Sequence, residues 1–345
     1  MTEQPSEELR SNAHVHLQVI TTSELSTLRD CKRKHHLSYR LGFRPISPAG
    51  PLRFGIAMHN AWEIWWSPAT LGNLDLALER IDAAGEIDEF ERARARAMMI
   101  AYHCRWLEAP YEILAIEQEF RAPLINPRTG HASKTYVVGG KIDAIIRMPN
   151  GDVWIVEHKS CGVECDFASP YWKKLRLDPQ ISTYFVGARA LGYDVKGAIY
   201  DVARKPSIRP YKATPEEDRK YTQPTKKDPV SRLYANQRER DETPEEFEAR
   251  CLDAIRKEPD RFLVRGEIVR LEDDERDAAE DIWQQARELR ESELAVRFPR
   301  NPNACEKWGS FCAWFDVCTG SASLDDTTKF RRIQTKHEEL SCQPK

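Results

Sequence analysis

No stretch of the 345-residue sequence approaches the ~18 consecutive apolar residues that a membrane-spanning helix needs. That excludes an integral membrane protein of the helical kind. Charge of one sign is also missing: 52 Lys and Arg stand against 55 Asp and Glu, a formal net charge of -3. A chain so balanced cannot grip nucleic acid by bulk charge, and any such contact needs a local basic patch. Cysteine, with nine residues, is too sparse for a disulfide scaffold at this length, and the odd count suits a reducing compartment. The opening MTEQPSEELRSNAHVH is acidic and polar, where a secretory signal would be basic and then apolar. No internal repeat is visible. These absences predict a cytoplasmic protein with no membrane partner, and they leave the cysteines in need of another explanation.

The hydrophobic share of 41% with 31% charged residues allows a sizeable soluble core, in one large domain or two modest ones. Residues 1 to 20, rich in Glu, Ser and Asn, read as a flexible lead-in. A helical region over 21–110 follows, starting at Thr22-Ser23-Glu24 and running past Cys31, His35 and Tyr39. A second helix, Arg53 to Trp66, carries His59, and two more cover roughly 73–84 and 86–107. From 111 to 212 the texture changes to strands at Glu112–Arg121, Thr135–Met148 and Val153–Lys159, a helix at 178–191 after Pro179, and a strand at Ala198–Arg204. This order predicts a mixed α/β core. A helical and charged accessory region over 213–298 holds a charged segment at 245–258, a short strand pattern at Phe262–Leu271 and a long helix at 272–296. The stretch 299–320 is dense in Cys and aromatics, and 321–345 reads as a flexible tail.

The sharpest chemical feature is Gly140-Lys141-Ile142-Asp143, followed by Pro149-Asn150-Gly151-Asp152 and Ile155-Val156-Glu157-His158-Lys159. Glu157 and Lys159 are two apart in an apolar strand, so they share a face, and charge there is costly without partners. Register decides whether Asp143 joins them. A two-residue Asn150-Gly151 loop pairs 148 with 153 and sends Asp143 and Glu157 to opposite faces. A three-residue loop, Pro149 to Gly151, pairs 148 with 152 and sets Asp143 opposite Glu157. Pro at the first turn position and Gly at a left-handed bulge position favour the second loop. Two carboxylates converging with a lysine suit phosphodiester hydrolysis. The carboxylates bind Mg²⁺ or Mn²⁺, the ion acidifies a water, and the lysine orients it and offsets developing charge. By spacing alone, a solvated Glu–Lys pair on an exposed strand is an equal reading.

The Gly-x-x-Asp followed by Glu-x-Lys resembles the PD-(D/E)XK nuclease superfamily, in particular the RecB-like exonucleases. Phe54-Gly55-Ile56-Ala57-Met58-His59 resembles that family's Gly-x-x-x-His, in which the His is a further metal ligand. Asp178-Pro179-Gln180-Ile181-Ser182-Thr183-Tyr184 resembles its Gln-x-x-x-Tyr, whose Gln and Tyr lie one helical turn apart and face the active site. Glu117 lies on the first strand, where the family often has an acidic residue. The resemblance covers about 22–320, least over 213–260. It implies a restriction-endonuclease-like fold: a mixed central sheet flanked by helices, a helical N-terminal region and a C-terminal cluster-binding segment. It implies a Mg²⁺- or Mn²⁺-dependent deoxyribonuclease acting on DNA that is single-stranded or has free ends, in a bacterial or phage-infected cell. Asp143, Glu157, His59 and the backbone carbonyl of His158 would hold the metal, Lys159 would handle the water, and Gln180 and Tyr184 would orient substrate.

Cys305-x6-Cys312-x5-Cys318 lacks the close C-x2–4-C knuckle of zinc fingers. Relatives of the AddB and CRISPR-associated branches carry one N-terminal cysteine and three C-terminal ones that bind a 4Fe–4S cluster. The resemblance assigns those places to Cys31, Cys305, Cys312 and Cys318, and implies a staple between the chain ends. Four thiolates suit iron–sulfur or zinc equally by count. Cys104, Cys161, Cys165, Cys251 and Cys342 receive no task.

Basic residues group at Lys32 to Arg40, at Lys173, Lys174 and Arg176, and at Arg204, Lys205, Arg209 and Lys212, flanking the proposed site in sequence. Each alone reads as a solvated face; together they could form a DNA groove with salt-sensitive binding. Roles in recombination, repair or phage DNA processing are implied by the family. A CRISPR-associated nuclease that trims DNA for spacer acquisition, working with recombination or CRISPR partner proteins, is the nearest alternative. A non-catalytic, cluster-braced DNA-binding subunit is another, against which the intact Asp, Glu and Lys argue.

Overall fold

A computed structural model describes residues 17–46, 50–224, 230–307 and 309–340. At its centre is a six-stranded mixed sheet. In chain order its strands are β1 (Gln18–Ile20), β3 (Glu112–Ile125), β4 (Ala132–Arg147), β5 (Val153–Cys161), β6 (Val195–Arg204) and β7 (Leu263–Ile268). The sheet runs β1-β4-β5-β6-β7, and β3 also pairs with β4. The pairs β3–β4, β4–β5 and β6–β7 are antiparallel, and β5–β6 is parallel. The parallel step needs a crossover. It is supplied by α6 (Pro170–Leu175) and α7 (Pro179–Ala190), each with Pro in its first turn and a side-chain cap from Ser169 or Asp178.

Helices cover both faces, so the sheet interior reads as near-continuous apolar runs. On one face α7 and α10 (Glu272–Leu294) bury Ile155, Tyr200 and Val202 against Ile181, Phe185 and Leu289. On the other, α3 (Gly50–Trp66), α4 (Leu74–Asp82) and α5 (Glu89–Trp106) bury Trp154, Val156 and Ile199 against Trp62, Met98 and Tyr102. This is the mixed sheet flanked by helices that the sequence predicts. Among the described residues no helix is long and apolar enough to cross a membrane.

Three boundaries differ from the sequence reading. Residues 1–16 of the expected flexible lead-in lie outside the described residues, but Gln18–Ile20 is a strand, parallel to Tyr136–Val138. The core does not stop at 212, because β7, inside the expected accessory region, completes the sheet against β6. The tail from 321 is structured through residue 340: β10 (Phe330–Arg332) pairs with β2 (Phe43–Pro45), and Phe330 is buried against Leu37 and Trp314. Those three corrections have one cause. Short segments gain their order from distant partners, so they carry too little local pattern to be read alone. For the same reason the first helix is not continuous. It breaks at Cys31, which is extended (φ -160°, ψ 116°) between α1 (Thr22–Asp30) and α2 (Lys32–His35).

Candidate active site

The β4–β5 hairpin has the register that its turn chemistry predicts. Met148 N–H donates to Asp152 O (2.8 Å), Gly151 N–H donates to Met148 O (2.9 Å), and Gly151 takes the left-handed conformation at φ 92°. Arg147 pairs with Val153 and Ala144 with Val156, so the next positions along are Asp143 and Glu157. There Asp143 Oδ2 accepts from the His158 backbone N–H (2.8 Å). Lys159 Nζ donates to Glu157 Oε1 and to Gln180 Oε1, both at 2.6 Å, and Gln180 Nε2 donates to the Tyr184 hydroxyl (2.7 Å). Helix α7 can sit this close because Gly187 has no side chain: a Cβ there would lie 2.4 Å from the Phe120 ring. His59, on α3, brings Nδ1 to 3.7 Å from Asp143 Oδ2. Asp143, Glu157, Lys159, Gln180, Tyr184 and His59 therefore lie together, drawn from two strands and two helices.

The electrostatics of this group are dominated by the burial of its acids. Burial pushes the Glu157 carboxyl up, and the neighbouring Asp143 adds to it. Burial likewise raises Asp143, against the lowering pull of His158 and Lys159. Glu157 Oε2 is buried with no hydrogen-bond partner. Burial alone would lower Lys159, but Glu157 and Asp178 keep it above its ordinary value. His59 is pushed down to about 4 by burial, so it is a neutral imidazole with a free lone pair. Among the described residues no group of three or more His, Cys, Asp or Glu side chains is already spaced to hold a metal ion. Lys159 stands against Glu157 as the compensating charge instead.

Two features were faint or missing in the sequence. Glu117, on β3, has φ 45°, a left-handed conformation that costs a non-glycine residue of order 1–3 kcal/mol. Its neighbours Ile116 and Gln118 pair with Ala144 and Ile142, which sets Glu117 against Asp143. It forms an ion pair with Lys141 and is nevertheless raised to about 7, by burial and by Asp143. The second feature is behind the sheet. His158 points away from Glu157 and Lys159, stacks on Trp62 (5.2 Å between centroids) and brings Nδ1 to 3.3 Å from Asp201 Oδ2. The same oxygen accepts from Arg265 Nη2 (2.9 Å) and from the Tyr102 hydroxyl, which in turn accepts from Trp66 Nε1 (2.8 Å). Burial would raise Asp201, but Arg265 and His158 reverse the sign and hold it well below the usual carboxylate range. This network clamps the peptide of His158, whose N–H fixes Asp143. The signal for it was an aspartate inside the apolar run Gly197-Ala198-Ile199-Tyr200-Asp201-Val202-Ala203.

The cysteines form a second locus. Cys31, Cys305, Cys312 and Cys318 line one cavity together with Ala304, Trp314 and Phe315. Burial raises the Cys318 thiol, Arg33 opposes this, and the other three cysteines raise it further. The chain ends are tied beside them: Asn301 Nδ2 donates to Asp30 O (2.8 Å), and Arg33 N–H to Pro299 O (3.1 Å). Trp308 and Cys342 lie outside the described residues. Of the basic clusters, part is neutralised internally: Arg204 pairs with Glu164 (2.6 Å), Lys212 with Asp241 (2.8 Å) and Lys34 with Asp30 (3.3 Å).

A mixed sheet flanked by helices, with two acids and a lysine on its central hairpin, defines the restriction-endonuclease-like class of folds. The sequence model of the PD-(D/E)XK nuclease superfamily matches residues 19–319. The chain belongs to that superfamily, and membership points to a metal-dependent nuclease. No curated protein matches the chain. Among solved structures, the crystal structure of SSO0001 is similar at 15% identity, covering 69% of this chain and 74% of that one with a TM-score of 0.25. That likeness is too slight to bear on function.

Proposed function

We propose that the protein is a DNA exonuclease of RecB-like type, dependent on Mg²⁺ or Mn²⁺. It would serve DNA recombination, repair or phage DNA processing in the cytoplasm of a bacterial or phage-infected cell. The observation that carries the reading is the unpartnered, buried Glu157 Oε2 beside the raised Asp143 carboxyl. Two acids that resist ionisation in the absence of a cation are a fitting pair of hard oxygen ligands. In this reading Asp143 and Glu157 hold the metal with the His158 carbonyl, and the neutral His59 completes or adjusts the set. When bound, the ion would polarise the phosphate and make a bound water more acidic than bulk water. Lys159, held between Glu157 and Gln180, orients that water and offsets charge at the phosphate. Gln180 fixes Lys159, and with Tyr184 it orients the substrate. The exonuclease assignment rests on the Gly-x-x-x-His and Gln-x-x-x-Tyr motifs being spatial neighbours of the acids.

The same proposal gives Cys31, Cys305, Cys312 and Cys318 a 4Fe–4S cluster, with zinc as the alternative. Four thiols around one cavity, at a junction of the two chain ends, support it. The test is cleavage of end-labelled single- and double-stranded DNA with Mg²⁺ or Mn²⁺, with closed circular DNA as control. Linear DNA should be degraded from its ends and circles spared, and Asp143→Ala and Lys159→Ala should be inactive. Either variant cutting as fast as wild type would overturn the assignment. Anaerobically purified protein should absorb near about 400 nm if the cluster is iron–sulfur.

A further inference from the structure

Between the strand that carries Lys159 and the helix that carries Gln180 the chain builds a small shelf. Helix α6 is capped by Ser169, whose Oγ accepts from Trp172 N–H (3.1 Å). It turns Trp172 and Leu175 into the core on the same sheet face as Ile155 and Tyr200. Its outer side presents Lys173 and Lys174, both exposed, followed by exposed Arg176 and by Leu177, which is 85% exposed. Phe167, 60% exposed, stands edge-on to Trp172 at 4.8 Å. Lys173, Lys174 and Arg176 make no ion pair among the described residues, unlike Arg204, Lys212 or Lys34.

The shelf is rigid and adjoins the site. Arg270 donates from Nη2 to Asp178 O (3.0 Å) and from Nη1 to Arg176 O, pinning the segment to the end of β7. Asp178 turns inward to cap Gln180 N–H (2.9 Å), and its charge acts on Lys159. Two residues after Arg270 the chain enters the acidic first turn of α10, Glu272 to Glu275.

We propose that this shelf receives an unpaired DNA strand on its way to the site, with phosphates on Lys173, Lys174 and Arg176 and bases against Leu177 and Phe167. The inference rests on the nuclease reading above and deepens it to a strand preference. Three uncompensated cations in four residues fit a polyanion. The exposed apolar side chains beside them offer contact to open base faces, which a single strand presents and the outside of a duplex, lined with phosphate and sugar, does not.

The test is binding in EDTA, by fluorescence anisotropy, of a labelled strand of about 16 nucleotides and of the corresponding blunt duplex. Leu177→Ser with Phe167→Ser should weaken single-strand binding about tenfold and leave duplex binding unchanged. Lys173→Gln, Lys174→Gln and Arg176→Gln together should lower the slope of log K against log salt by about 2 on the single strand. Unchanged binding in both variants, as expected of a solvent face or a protein-docking face, overturns the proposal. Equal loss on single strand and duplex from the apolar variant overturns it too. Cleavage is not read here, so the nuclease assignment stands or falls separately on Lys159→Ala.

Discussion

The cleft and the junction of the chain ends are built on opposite plans. The cleft takes its acids and lysine from one hairpin, residues 143 to 159, and buries two carboxyls that desolvation pushes up, Glu157 being pushed further by Asp143. The junction joins residues far apart in sequence, as in the Asn301–Asp30 hydrogen bond across 271 positions, and fills itself with matched apolar and polar contacts. The first arrangement costs stability and suits a ligand that compensates it. The second is expected to contribute stability rather than chemistry. Function and stability are therefore expected to separate when each region is altered.

The largest effect expected is on cleavage. Asp143→Asn should cut the rate about 10³-fold, yet melt no lower than wild type in EDTA, because it removes a carboxylate from a repelling pair while keeping the acceptor for His158 N–H. An active Asp143→Asn enzyme would erase the contrast. Cys305→Ser should do the reverse, lowering the melting temperature by roughly 5–10 °C while folded protein keeps its cleavage rate to within about threefold. Loss of cleavage in protein that is still folded would place the cysteines in the chemistry instead.

Phe330→Ala sharpens the picture of the junction. Its ring is buried and stacked on Trp314 at 5.0 Å, so truncation should cost about 3 kcal/mol in urea unfolding without altering cleavage. A neutral result would show that the tail does not brace the fold.

Glu117→Gln probes the smallest term. With its folded pKa raised to about 7, Glu117 favours the folded state when protonated, and this advantage is lost as pH rises from about 4.5 through about 7. In EDTA the substitution should therefore stabilise by up to about 3 kcal/mol near pH 8, less the cost of losing the Lys141 ion pair, and by almost nothing near pH 4.5. Stabilisation that grew toward acid would mean that Glu117 is held ionised by Lys141.

The hairpin register was legible because it depended on a three-residue turn with Pro149 and Gly151, both of which restrict the backbone locally. The pairing of Gln180 with Tyr184 followed from helical spacing. Asp201, Tyr102 and Arg265 were not legible as a network, since each comes from a different element and only packing brings them to His158. The strands Gln18–Ile20 and Phe330–Arg332 escaped for a similar reason: three residues hold no periodicity until a neighbouring strand supplies it. Even the missing excess of positive charge became informative only in three dimensions. Among the described residues, Arg204, Lys212 and Lys34 pair with nearby acids, and Lys173, Lys174 and Arg176 do not.

By itself the sequence determined the mixed α/β class, the Asp143–Glu157–Lys159 trio and its register, because alternation and turn stereochemistry act over a few residues. Tertiary structure alone decided that His59 reaches Asp143, that four cysteines from both ends share a cavity, and which cations stay free. Those outcomes depend on through-space distance and desolvation, which a linear order of residues does not contain.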